Sequence, residues 1–261
     1  MRIGFFDSGI GGLTVLYEAL RILPHEDYLY YADSTHVPYG NKPKDLVRRY
    51  VGEAAKFLVA KGIQALVVSC NTATSVAINE LRNHCQIPII GMEPAIKPAV
   101  KDHRDKRVLV FATEMTLKEE KFQKLVSHVD DQRIIDYLPL QELVMHAENF
   151  VFDPEIIIPY LEKKLASYDM SCYGTIVLGC THFPYYKRTF RKIIPRHIKI
   201  IDGNLGTVRH LKRQIEALAS KRTGKGMIEF YISGQRADDE LFIRYLQQYA
   251  EFEKEMPAES Q

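Results

Sequence analysis

Ala65-Leu66-Val67-Val68-Ser69-Cys70-Asn71-Thr72-Ala73-Thr74 and Thr175-Ile176-Val177-Leu178-Gly179-Cys180-Thr181-His182 share one design: a short apolar, β-branched run, then a cysteine, then polar residues. Such runs mark strands buried on both faces of a parallel sheet. Each stretch therefore predicts a cysteine at the carboxyl end of a strand, where open α/β sheets collect their ligands. Asn71, Thr72 and Thr181 supply side-chain oxygens suited to cap a helix start. A thiol beside a helix N-terminus feels positive partial charge, which lowers its pKa toward neutrality. One such cysteine points to a nucleophile. Two in matching settings, one in each half of the chain, point to a pair acting together. A structural role in a dry core fits poorly, because burying Asn-Thr and Thr-His there is costly.

Outward from these stretches, strand-like runs alternate with helical patterns. Strands are predicted over residues 2–6, 28–32, 64–69 and 87–91, with helices over 13–23, 43–61 and 72–82. In the second helix Val47, Tyr50, Val51, Ala54, Phe57 and Leu58 follow the i, i+3, i+4 spacing of a helix laid on a sheet. The pattern then restarts, with strands over 107–112, 134–137, 175–179 and 198–201 and helices over 117–126 and 154–167. A helix over 207–220, a strand over 227–232 and a helix over 237–249 complete it. This alternation predicts an α/β fold with a mostly parallel sheet flanked by helices. Two rounds of it, each with a cysteine after an equivalent strand, predict two similar lobes. The first lobe is expected to hold residues 1–95 plus 207–261 and the second 96–206, with the crossover near 94–98.

Composition narrows the function. A chain of 261 residues can bury a large core, and a net charge of +2 gives no argument for nucleic acid. The basic stretches at 187–192 and 209–213 read as solvated helix faces. No apolar run is long enough to cross a membrane, and no secretory signal is visible, so a cytoplasmic location is expected. The cysteines at 70, 85, 172 and 180 form no Cys-x-x-Cys pair, so no metal site or redox motif is expected. Asp7-Ser8-Gly9-Ile10-Gly11-Gly12 stands between a strand and a helix, where backbone N–H groups can bind phosphate. It lacks both the P-loop ending and the dinucleotide fingerprint. Gly11 and Gly12 also fit a plain tight turn, while Asp7 and Ser8 at the strand tip stand where protons or an ammonium group are handled.

Four motifs now align in order: Asp7-Ser8-Gly9-Ile10-Gly11-Gly12-Leu13-Thr14-Val15, Val37-Pro38-Tyr39-Gly40, Cys70-Asn71-Thr72-Ala73 and Gly179-Cys180-Thr181-His182-Phe183-Pro184. Together they resemble the motifs of bacterial glutamate racemases, over residues 2–202. The resemblance implies a cofactor-independent enzyme that interconverts L- and D-glutamate and supplies D-glutamate for peptidoglycan. It also implies two pseudo-symmetric lobes with the active site in the cleft between them, and a homodimer. By the same resemblance Cys70 serves D-glutamate and Cys180 serves L-glutamate, with Asp7 and His182 assisting on their respective sides. Substrate contacts are implied for Asp7, Ser8, Tyr39, Gly40, Asn71, Thr72, Thr181 and His182.

Racemisation itself explains two thiols. A proton leaves one face of a planar intermediate and another arrives at the opposite face, so one group acts as base and its opposite as acid. Preorganised donors must also stabilise the carbanion-like transition state. Thr113 and Thr116 match a Gly-Thr-x-x-Thr segment of the family, with Ala112 in place of the glycine. They are either substrate contacts or helix caps. His146 stands where relatives carry a glutamate that aids the His182 side, and a shift of two residues brings Glu148 there instead. Asp202-Gly203-Asn204 replaces the family's Asp-Ser-Gly, and similarity is loose from Met227 onward. The competing readings are a relative acting on aspartate and a binding module without activity.

Overall fold

The computed structural model describes residues 1–102, 106–218 and 224–255. One sheet contains β1 (Arg2–Asp7), β2 (Asp27–Ala32), β3 (Ala65–Val68) and β4 (Ile89–Gly91). The other contains β5 (Arg107–Ala112), β6 (Ile135–Pro139), β7 (Tyr173–Leu178) and β8 (Lys199–Asp202). The chain then returns to the first sheet with β9 (Ile228–Ile232) and β10 (Gln235–Arg236). The strand orders are β10-β9-β2-β1-β3-β4 and β6-β5-β7-β8. Within them, β2-β1-β3-β4 and β6-β5-β7-β8 are one permutation used twice, all parallel. Cys70 follows β3 and Cys180 follows β7, so the two thiols occupy equivalent places beside the points where strand order reverses. Ligands of open α/β sheets bind at such points.

The helices follow in chain order: α1 (Leu13–Ile22), α2 (Lys44–Ala60), α3 (Asn71–His84), α4 (Ile96–Asp102), α5 (Glu114–Lys118) and α6 (Glu120–Val129). After them come α7 (Glu142–Glu148), α8 (Pro154–Leu165), α9 (Lys187–Ile193), α10 (Asn204–Glu216) and α11 (Asp239–Lys254). Strand alternation decides which face each helix covers. Phe6, Leu66 and Val68 pack with α2 and α3 through Val51, Leu58 and Ala77. Ile3, Phe5, Tyr30 and Val67 point the other way, into a core shared with Leu13 of α1, Leu211 of α10 and Phe242 of α11. Leu109, Phe111 and Ile176 of the second sheet enter that same core, while Val108, Val110 and Val177 face α4 and α6. A continuous apolar core therefore joins the two lobes. No described helix is long and apolar enough to cross a membrane.

Several expectations change here. The short helices α4, α7 and α9 and the antiparallel strand β10 had no clear periodic signal over so few residues. The predicted end of the helix at 207–220 lies outside the described residues. Lys187 is no part of a solvated face. Its side chain is 13% exposed and lies 2.9 Å from Asp202 and 3.0 Å from Glu253. The cluster joins α9 and the end of β8 to α11.

Candidate active site

Cys70 is itself the N-cap of α3, its Sγ accepting the Ala73 N–H at 3.4 Å. The thiol thus takes the acceptor role expected of Asn71 or Thr72. Ser8 Oγ lies 3.5 Å from the same sulfur. The expected fall in its pKa does not occur. Burial, reinforced by the nearby Asp7 charge, pushes the Cys70 thiol up to about 12, against smaller downward pulls from Ala73 and Ser8. Desolvation outweighs a helix terminus because it acts on the whole thiolate charge.

Cys180 has a different setting. After β7 the chain enters a 3₁₀ turn, Phe183–Tyr186, before α9. Cys180 Sγ lies 3.6 Å from His182 Nδ1, and His182 Nε2 lies 2.6 Å from Glu148 Oε1. Burial by itself lowers the pKa of His182, but Cys180 and Glu148 outweigh it and hold the imidazole well above its usual range. Glu148 Oε1 also accepts the Ile10 N–H at 2.9 Å, which ties α7 to the glycine-rich turn. Tyr245 of α11 donates to the carbonyl oxygens of Ala147 and Glu148 at 3.0 and 2.9 Å. The C-terminal helix thus fixes the end of α7 that carries Glu148.

Asp7 bridges the two halves. Its Oδ1 accepts the Gly9 N–H at 3.0 Å, and its Oδ2 accepts the Thr181 hydroxyl at 3.1 Å. Burial raises its carboxyl to about 6, opposed chiefly by the His182 charge. The glycines of this turn exist for close approach rather than for phosphate. A Cβ on Gly11 would lie 2.5 Å from both His182 Nδ1 and Thr181 Oγ1, and one on Gly9 would collide with the Glu148 carboxylate.

Ser8, Tyr39, Gly40, Cys70, Asn71, Thr72, Thr113, Cys180, Thr181 and His182 line one narrow cavity, together with Pro38, Gln141 and Val144. It leaves only about 10 Å³ for the centre of a water molecule. Asp7, Thr116 and Glu148 stand behind this wall, each hydrogen-bonded to a lining residue. Thr72, Thr113 and Thr116 form a triangle of hydroxyls with oxygens 3.0–3.1 Å apart, joining α3 to α5. Thr113 also caps α5, the helix-start role expected of it. Tyr39 is held by its hydroxyl on Asp33 Oδ2 at 2.6 Å.

Glu148, not His146, meets His182. The His146 ring sits 6.3 Å from that of Tyr160 and is absent from the cavity wall. Helical geometry decides the matter: residues two apart lie on opposed sides of a helix. Gln141, Val144 and Glu148, at i, i+3 and i+7, share the side toward the cavity. That spacing was the available signal for Gln141 and Val144, which the sequence reading missed. Asp33 and Tyr245, also missed, act through contacts distant in sequence.

With the geometry in place, comparison with known proteins is direct. The Asp/Glu/hydantoin racemase family model matches residues 18–211. A glutamate racemase of Halothermothrix orenii is 56% identical over 248 residues, 94% of this chain and 98% of that protein. Glutamate racemase 2 of Bacillus subtilis is 50% identical and covers 94% of each chain. The crystal structure of Escherichia coli glutamate racemase with L-glutamate and the activator UDP-MurNAc-Ala matches with a TM-score of 0.84 at 27% identity, covering 95% of this chain and 94% of that one. The repeated strand order, the shared cavity and these likenesses agree: the chain belongs to the Asp/Glu/hydantoin racemase family and, within it, to the bacterial glutamate racemases.

Proposed function

We infer that this protein interconverts L- and D-glutamate by passing protons between two cysteines on opposite faces of the substrate. The observation that carries the mechanism is the meeting of Cys70 and Cys180, from equivalent strands of two sheets, in one cavity. In the L-to-D direction the Cys180 sulfur takes the α-proton, the electron pair spreads into the α-carboxylate, and the Cys70 thiol protonates the other face. The reverse direction exchanges the roles. Burial favours Cys70 in its thiol form, while His182, bonded to Glu148, stands 3.6 Å from the Cys180 sulfur.

Asp7 relays protons on the Cys70 side, and the His182–Glu148 pair does so on the Cys180 side. Asn71, Thr72 and Thr113 donate to the α-carboxylate and so stabilise the carbanion-like transition state, while Thr181 holds Asp7 in place. Ser8, Tyr39 and Gly40 complete the contacts, with Ser8 receiving the ammonium and Asp7 acting from behind it. The paired thiols and these donors carry the reaction without a cofactor. The cavity lies between two units, residues 1–95 plus 207–261 and residues 96–206. The family relationship supports a cytoplasmic homodimer that supplies D-glutamate for peptidoglycan.

The test is exchange in deuterated water. Incubation with L- or D-glutamate is expected to place deuterium at the α-carbon and bring the two enantiomers to equality, without added metal or pyridoxal phosphate. Exchange in aspartate alone would assign a different substrate, and no exchange in any amino acid would reject the activity.

A further inference from the structure

Gln141 is the N-cap residue of α7, yet its side chain does not cap that helix. Instead it lines the cavity, and both amide atoms, Oε1 and Nε2, are buried without a hydrogen-bond partner among the described residues. A buried amide left unsatisfied is costly, so such a group in a binding cavity marks a place where a ligand completes the bonding. Its location is well defined. A Cβ on Gly40 would lie 2.5 Å from Gln141 Oε1 and 2.6 Å from Nε2, so the amide stands directly against the Tyr39-Gly40 turn.

The surroundings indicate which part of the substrate it meets. Asn71 and Thr72 follow Cys70 in the chain, and Thr181 follows Cys180, so these donors flank the reacting carbon. Gln141 makes no hydrogen bond to either thiol or to the groups bonded to them. Its amide stands instead against the Tyr39-Gly40 turn. We propose that Gln141 is a specificity-determining residue that receives the side-chain carboxylate of glutamate beside Gly40. This rests on the glutamate reading above and goes beyond it by naming the group that measures side-chain length and charge. The amide NH₂ donates to the γ-carboxylate. Because Gln141 lies on α7 and Gly40 in the other lobe, the γ-carboxylate also bridges the lobes.

Three substitutions test this. Gln141→Leu keeps the volume and removes the donor; a hydrogen bond to a charged group lost in this way is expected to lower kcat/KM for glutamate about ten- to hundredfold. The loss should lie mainly in KM, because the γ-carboxylate carries the same charge in ground and transition states. Gln141→Glu sets a carboxylate against a carboxylate, so glutamate should suffer more while the ratio of glutamine to glutamate turnover rises. Gln141→Asn, shorter by one methylene, should restore part of the affinity. Unchanged KM in Gln141→Leu, a loss confined to kcat, or an unaltered glutamine-to-glutamate ratio in Gln141→Glu overturns the assignment. If the leucine variant does not fold, the ratio in the glutamate variant decides. Failure of the wild type to exchange the α-hydrogen of glutamate would instead reject the underlying reading.

Discussion

Cys70 and Cys180 follow equivalent strands, yet their chemistry differs because their neighbours differ. Cys70 is a buried N-cap beside an acid, while Cys180 faces an imidazole whose pKa Cys180 itself and Glu148 hold well above its usual range. Replacing either thiol by serine is expected to lower racemisation by roughly 10²–10⁴-fold, the usual worth of a positioned acid–base group. Partial reactions should separate the two. With a substrate analogue that expels a leaving group after α-deprotonation, Cys180→Ser should process only the D-isomer and Cys70→Ser only the L-isomer, measured as product release. Full racemisation by either variant would contradict two-base chemistry. Asp7 offers a second test at this scale. Its carboxyl titrates near 6 when folded, against 3.8 for the unperturbed group. The folded state therefore holds this proton more tightly, so stability rises as pH falls from about 6 toward 4. At neutral pH the buried charge costs about 3 kcal/mol. Asp7→Asn should remove that slope, seen as urea-unfolding free energies of variant and wild type that diverge between pH 4.5 and 7, with the variant the more stable at pH 7. Its activity should fall.

At the scale of elements, the turn after β1 and the end of α7 form one unit. Glu148 binds Ile10 N–H and His182 together, and only glycine at position 9 leaves it room. Gly9→Ala should drive Glu148 away and cost about 1–3 kcal/mol through overpacking. Racemisation is expected to drop at least about tenfold, and the His182 imidazole, freed from its carboxylate, should titrate at lower pH by NMR. An unchanged His182 titration would show that Glu148 keeps its place. The same unit explains why His146 was an attractive but mistaken candidate. Sequence position alone placed it near the right motif, and the rotation of α7 placed Glu148 at the cavity.

At the scale of the whole molecule, one apolar core and a few polar ties hold the lobes in register. One of those ties is the ion-pair cluster of Lys187 with Asp202 and Glu253. The two carboxylates keep its ammonium well charged despite burial. Lys187→Met leaves two largely buried carboxylates facing each other, a change expected to cost about 3–5 kcal/mol. Thermal and urea unfolding would measure it, and a loss below about 1 kcal/mol would place this cluster among ordinary surface pairs. Tyr245 works across a similar distance in sequence, from α11 to the end of α7. The C-terminal helix thus supports the residue that orients His182.

The amino-acid sequence by itself determined the α/β class, the two rounds of one pattern and the strand-end positions of Asp7, Ser8, Cys70, Cys180 and His182. It could do so because strand burial and helix amphipathicity are local, periodic properties of a chain. Only the tertiary structure decided that Glu148 rather than His146 meets His182, that Gln141 turns its amide into the cavity, and that Lys187 is largely enclosed by Asp202 and Glu253. It also reversed the expected direction of the Cys70 pKa. Each of these depends on which distant surface closes over a residue, and neither burial of a charge nor the rotation of a two-turn helix is written in its immediate neighbours.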